Sequence, residues 1–210
     1  RRGGVMPSLI VIHYTAMACA DDALARLCDP EFEVSAHYLI CNKGQLYQMV
    51  DEEMRAWHAG AGSWGGVDDI NSHSIGIELD NNGQVPFEPA QMLALKSLLR
   101  GIMDRHNIPP ERVIAHSDMA PGRKGDPGRL FDWQDLAMDG LSVWANTDRG
   151  EGPCFARSAA TFGYPNTPYT LEAFRQRFRP DAEGLENAQD RAMMGALADA
   201  YPVDPAPATS

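Results

Sequence analysis

The chain predicts an α/β fold, a mixed central β-sheet flanked by helices with a small helical segment at the C-terminal end. Two observations carry this. Ser8–Tyr14 (SLIVIHY) and Ser72–Leu79 are buried-type runs rich in β-branched residues. Between and around them lie helical patterns, so strands and helices interleave.

In chain order, Ser8–Tyr14 reads as a buried strand. Asp21–Leu27 reads as a short helix with Asp21 or Asp22 as its cap. Ala36–Asn42 and Gln45–Val50 flank Lys43-Gly44 as a hairpin. Ser72–Leu79 is the next strand. Glu88–His106 carries apolar residues at Met92, Leu95, Leu98, Leu99, Ile102 and Met103, the spacing of an amphipathic helix. Pro109-Pro110 stops the chain before a strand-like Arg112–Ala115 that ends at His116. Residues 1–145 thus form one unit. Residues 146–169, dense in Gly, Pro, Asn and Ser, read as a linker or loop-rich edge. Leu171–Phe178 and Leu185–Tyr201 read as helices of a small segment over 170–203, and 204–210 as a frayed tail.

Composition narrows the function. The formal charge of −11 over 210 residues argues against nucleic acid or an anionic membrane as main partner. The longest apolar runs are far too short to span a bilayer. Cys19, Cys28, Cys41 and Cys154 form no Cys-x-x-Cys pair and read as reduced, mostly buried thiols of a cytoplasmic protein. The start Arg1-Arg2-Gly3-Gly4 shows no secretory signal, although a removed one leaves a periplasmic or outer-membrane site as the alternative. A monomer is the expected state.

The chemistry concentrates in Ala115–Gly128 (AHSDMAPGRKGDPG), which places His116, Lys124 and Asp126 in one short segment. A nitrogen donor, a cation and a carboxylate together suit a zinc ion with a group for an oxyanion. His13, at the end of the first strand, supplies a further ligand at the same sheet edge. Two His and one carboxylate leave a fourth tetrahedral position open, as catalytic sites do. In the strand Ser74–Leu79, Glu78 shares a face with Ser74 and Gly76, which leaves room for water or substrate. A buried carboxyl there is a candidate general base; a salt-bridged or exposed strand-end carboxylate is the plainer reading. Tyr14, His37, Arg55, Trp57, His58 and Asn71 are candidate substrate contacts. Trp57 fits a groove floor or the core equally, and His37 fits the cleft or the sheet.

With these residues in view, the chain resembles the zinc-dependent N-acetylmuramoyl-L-alanine amidases of the AmpD and AmiD type, related in fold to phage T7 lysozyme and peptidoglycan-recognition proteins. The matching segments, in family order, are VIHYTA, VSAHYLI, RAWHAG, NSHSIGIEL and HSDMAPGRKGDPG, followed by Leu130-Phe131-Asp132-Trp133. The resemblance implies zinc on His13, His116 and Asp126, Glu78 as catalytic acid/base and Lys124 as the oxyanion-stabilising residue. It implies hydrolysis of the amide between the lactyl group of MurNAc and L-alanine in peptidoglycan fragments, anhydro-muropeptides of cell-wall recycling among them. The C-terminal helices (LEAFRQRFRP, AMMGALADAY) resemble, more loosely, a peptidoglycan-binding helical domain. The rival class is a recognition module that binds muropeptides without cutting. Such relatives typically lose a zinc ligand, and this chain keeps all three. A generic zinc peptidase is the other rival, without the His-Glu-x-x-His of its commonest form.

Overall fold

In the computed structural model, which describes residues 2–145 and 152–203, five strands form one sheet in the order β3-β2-β4-β1-β5. They are β1 (Leu9–Tyr14), β2 (Tyr38–Ile40), β3 (Leu46–Gln48), β4 (Ser74–Leu79) and β5 (Val113–Ala115). Central β1 pairs in parallel with β4 and β5, and β4 in parallel with β2; β3 alone is antiparallel. The continuous apolar run of β1 follows from this position, because a central parallel strand is covered on both faces.

The two faces have separate cores. Ile10, Ile12, Ile75, Ile77 and Leu79 pack against α3 (Pro89–His106) through Leu95, Leu98, Leu99 and Ile102. Leu9, Val11 and Ile114 face the opposite way. They meet Phe155, Phe162, Phe174, Phe178, Met194 and Leu197 of α6 (Phe155–Phe162), α7 (Thr170–Phe178) and α8 (Ala188–Ala200). α1 (Ala20–Cys28) covers Leu39 with Ala20 and Ala23.

Several local expectations need correction. The cap of α1 is Cys19, without a side-chain hydrogen bond; Asp21 and Asp22 sit in the first turn, where carboxylates favour the helix dipole. Ser72 and His73 belong to a one-turn helix, α2 (Ile70–His73), not to the strand. His116 opens α4 (His116–Met119) instead of ending a strand. α5 (Trp133–Met138), capped by Asp132 accepting from the Asp135 amide at 2.9 Å, has no counterpart in the sequence reading. The stretch expected as linker contains α6, because its apolar side of Phe155, Ala159 and Phe162 has a core to enter. Residues 146–151 and the expected tail 204–210 lie outside the described residues. All four thiols are free, and Cys19, Cys28 and Cys154 are exposed, not buried. No helix among the described residues is long and apolar enough to cross a membrane.

Candidate active site

Three parallel strands deliver the site. Their carboxyl ends point the same way, and open parallel sheets bind ligands at that edge. His13 comes from the end of β1 and Glu78 from the end of β4, where the register sets the two opposite each other. His116 follows β5 directly. Period-two alternation sends Leu9, Val11 and His13 to one face, while Gly76 and Glu78 share the corresponding face of β4.

The Gly/Pro segment after α4 brings Asp126 back to His116, with the Ser117 amide donating to the Asp126 carbonyl at 3.0 Å. The Asp126 carboxylate then lies 2.9 Å from His13 Nδ1 and 3.0 Å from His116 Nδ1, and the two nitrogens are 2.9 Å apart. All three residues are buried. Burial pushes the Asp126 carboxyl up, but hydrogen bonding to His116 and His13 outweighs it and holds the group well below the usual carboxylate range. Burial, with His116 close by, brings His13 down to about 4, so its ring is neutral. A carboxylate oxygen and two imidazole nitrogens converging on one point fit a divalent cation of zinc type. The outward nitrogens support that fit: His116 Nε2 donates to the Ala59 carbonyl at 2.9 Å, which leaves its Nδ1 lone pair facing the cluster.

Glu78 stands beside this cluster. Burial, then the Asp126 charge, raises its carboxyl to about 8, with Lys124 opposing. Its Oε2 is buried without a hydrogen-bond partner among the described residues. An oxygen buried without a partner separates this carboxyl from a salt-bridged or exposed strand-end carboxylate.

A cleft of about 410 Å³ opens in front, lined by His13, Tyr14, Trp57, His58, Glu78, His116, Lys124 and Asp126. Trp57 is 49% exposed and forms groove wall, not core. Beyond Trp57 the surface continues into a second hollow that Arg55 lines. His37 and Asn71 line neither. His37 is fully buried, accepting from the Gly76 amide through Nδ1 and lying 2.8 Å from an Arg2 guanidinium nitrogen. Asn71 accepts the amides of His58 and Ala59 at 3.0 and 2.9 Å. Burial and its imidazole neighbours push His58 well below its usual range, so it too is neutral. Sequence reasoning missed Arg26 and Arg123, which also line the cleft. Arg123 stands next to Lys124, a cue in plain view, whereas Arg26 is an ordinary helix-surface residue by pattern. Arg123 donates to the carbonyls of Ala59 and Ala61, and the Arg26 guanidinium lies 4.4 Å from the Phe32 ring centre.

A three-donor cluster with an open front and a carboxyl beside it is an arrangement suited to hydrolysis by activated water. Comparison with known proteins narrows the class. Residues 3–129 match the family model described as N-acetylmuramoyl-L-alanine amidase, and the chain belongs to that family. It is 38% identical over 234 aligned positions to N-acetylmuramoyl-L-alanine amidase AmiD of Escherichia coli, covering 93% of this chain and 84% of that protein. The 1,6-anhydro-N-acetylmuramyl-L-alanine amidase AmpD of Haemophilus influenzae is 37% identical, over 60% of this chain and 79% of its own length. Among solved structures, E. coli AmiD in complex with the substrate anhydro-N-acetylmuramic acid-L-Ala-D-gamma-Glu-L-Lys superposes with a TM-score of 0.86 at 36% identity, over 96% of this chain and 93% of that one.

Proposed function

We propose that this amidase hydrolyses the bond between the lactyl carbonyl of N-acetylmuramic acid and L-alanine in soluble anhydro-muropeptides, with zinc held by His13, His116 and Asp126. The observation that carries the reading is the convergence of those three donors beside the Glu78 carboxyl, whose buried Oε2 has no hydrogen-bond partner among the described residues. Bound zinc supplies Lewis acidity toward the scissile carbonyl and lowers the pKa of water. The rest is work for side chains. Glu78, in its ionised form, takes a proton from the attacking water and returns it to the leaving amine of L-alanine. Its value of about 8 leaves both protonation states accessible near neutral pH. Lys124 meets the charge that develops on the tetrahedral oxyanion. Arg26, Arg123 and Lys124 give the cleft a cationic rim in a chain of net charge −11, which suits the carboxylates of a stem peptide. Trp57, with Arg55 beyond it, offers an aromatic face for the sugar or peptide. The presence of Glu78 and Lys124 at the metal cluster favours cleavage over a binding-only role.

The test pairs metal content with turnover. Glu78→Ala is expected to keep one zinc per chain and to lose hydrolysis by about 10²- to 10⁴-fold. Lys124→Met is expected to keep zinc and lower kcat by about 10²-fold. Unchanged turnover in either variant removes that residue from the mechanism. Four free thiols, three of them exposed, support a reducing compartment as the working place. Recovery of the native protein in a periplasmic or membrane fraction overturns that assignment.

A further inference from the structure

We propose that the dipeptide His58-Ala59 positions both metal-binding histidines, with His58 as the positioning residue that holds His13 in the tautomer whose Nδ1 lone pair faces the metal. The proposal rests on the zinc reading above and adds a role that the metal ligands themselves do not define.

The hydrogen bonds fix the direction. Ser74 Oγ donates to the Ile70 carbonyl at 2.6 Å, and a carbonyl only accepts. The hydroxyl proton is thereby committed, so at the 3.2 Å contact Ser74 Oγ accepts from His58 Nε2–H. A neutral ring protonated at Nε2 has an acceptor at Nδ1. His58 Nδ1 lies 3.0 Å from His13 Nε2, which must then carry the proton. His13 Nδ1 is left with its lone pair toward His116 Nδ1 and Asp126. The reverse polarity would strip Ile70 of its hydroxyl donor and put a proton on His13 Nδ1, where no metal could bind. His116 is fixed one residue further on, by the Ala59 carbonyl, which also accepts from Arg123 at 2.6 Å.

The backbone is built to hold this pair. Asn71 Oδ1 accepts both the His58 and the Ala59 amide, so one side chain sets the dipeptide in place. The His58 ring lies over Gly76, where an added Cβ would come within 2.4 Å of His58 Cγ. Gly76 therefore makes room for this imidazole in the middle of a buried strand, a position where glycine otherwise weakens a sheet. Ligand histidines orient through the partner of their second nitrogen, and loss of that partner typically costs about 10- to 100-fold in metal affinity.

The experiment measures zinc affinity by chelator competition for wild type, His58→Asn and His58→Phe, with folding checked by circular dichroism. Asn places an acceptor where His58 Nδ1 stands but leaves a void; Phe fills the space and has no acceptor. The expected result is about 10- to 100-fold weaker zinc binding for His58→Phe and a loss of no more than about 3-fold for His58→Asn. Equal affinity in all three, or retention by Phe with loss by Asn, overturns the relay and makes His58 a packing residue. Ser74→Ala, expected to weaken zinc binding several-fold, serves if the Phe variant does not fold; wild-type affinity there counts against the relay. Independently of any variant, long-range ¹H–¹⁵N spectra of the zinc-loaded wild type should show protonated Nε2 and unprotonated Nδ1 on His58. A proton on His58 Nδ1 overturns the proposal. A wild type without zinc affinity overturns the metal reading itself, whereas normal wild-type affinity with an unaffected His58→Phe removes only the relay.

Discussion

Glu78 and His13 titrate in opposite senses, and the metal-free protein should show it. Glu78 is raised to about 8 in the fold, so the folded state holds a proton that the unfolded chain releases near the ordinary carboxylate value. Its contribution falls as pH rises through that window. His13 is lowered to about 4, so the unfolded chain binds a proton first and stability falls as pH drops below about 6.5. Between about 5 and 6.5 the two slopes oppose; from about 6.5 to 8 only the Glu78 loss remains. Denaturant unfolding in chelator should therefore weaken over that upper range, by an amount on the order of 2 kcal/mol. In Glu78→Gln the same range should be flat, and an equal fall in the variant assigns the loss elsewhere. At this scale His13, Glu78, His116, Lys124 and Asp126 were legible. Strand alternation and a Gly/Pro segment suffice to bring them to one edge. The partners of His58 and the burial of His37 were not, because they depend on which strands are neighbours. The thiols were misread for a similar reason: cysteine's general preference for burial says nothing of where a given turn comes to the surface.

At the scale of elements, α4 ties the segment that carries Asp126 to the C-terminal helices. Two residues after His116, Asp118 is fully buried and accepts from Arg177 of α7 at 2.6 Å, Tyr164 at 2.5 Å and the Ala115 amide at 2.8 Å. Arg177 also donates to the Val113 carbonyl and Ser142, with its guanidinium 4.3 Å from the Trp133 ring centre. Removing one partner of such a pair leaves a buried charge uncompensated. Arg177→Met is thus expected to cost about 3–5 kcal/mol of stability, while Asp118 and Arg177 replaced together by apolar residues should cost less. Equal losses in chemical unfolding would show that the pair is not coupled. The long elements could be read from sequence because α3 and β1 carry whole periods of apolar residues. α2, α4 and α5 are four to six residues long and exist only through caps and tertiary contacts, so no periodicity announces them.

At the scale of the molecule, the C-terminal helices share a core with the sheet face that leads to His13. Leu9, Val11 and Ile114 are fully buried against them. Calorimetry should accordingly give one transition for the whole chain, and a chain ending at residue 145 should expose that face and unfold at a lower temperature than the full one. Two separate transitions would instead support independent units. The division at 145 seen in the sequence follows composition, and composition does not report which apolar faces meet.

The claim that unites these scales is amide hydrolysis at the His13–His116–Asp126 centre, and the products test it most directly. Zinc-loaded enzyme is incubated with an anhydro-muropeptide in oxygen-18 water, and the products are weighed by mass spectrometry with and without chelator. The predicted result is a free stem peptide beginning with L-alanine and a sugar carrying one oxygen-18 in its lactyl carboxylate, both absent when zinc is removed. Label in the peptide, cleavage at another bond, or turnover undiminished by removal of zinc would contradict the account.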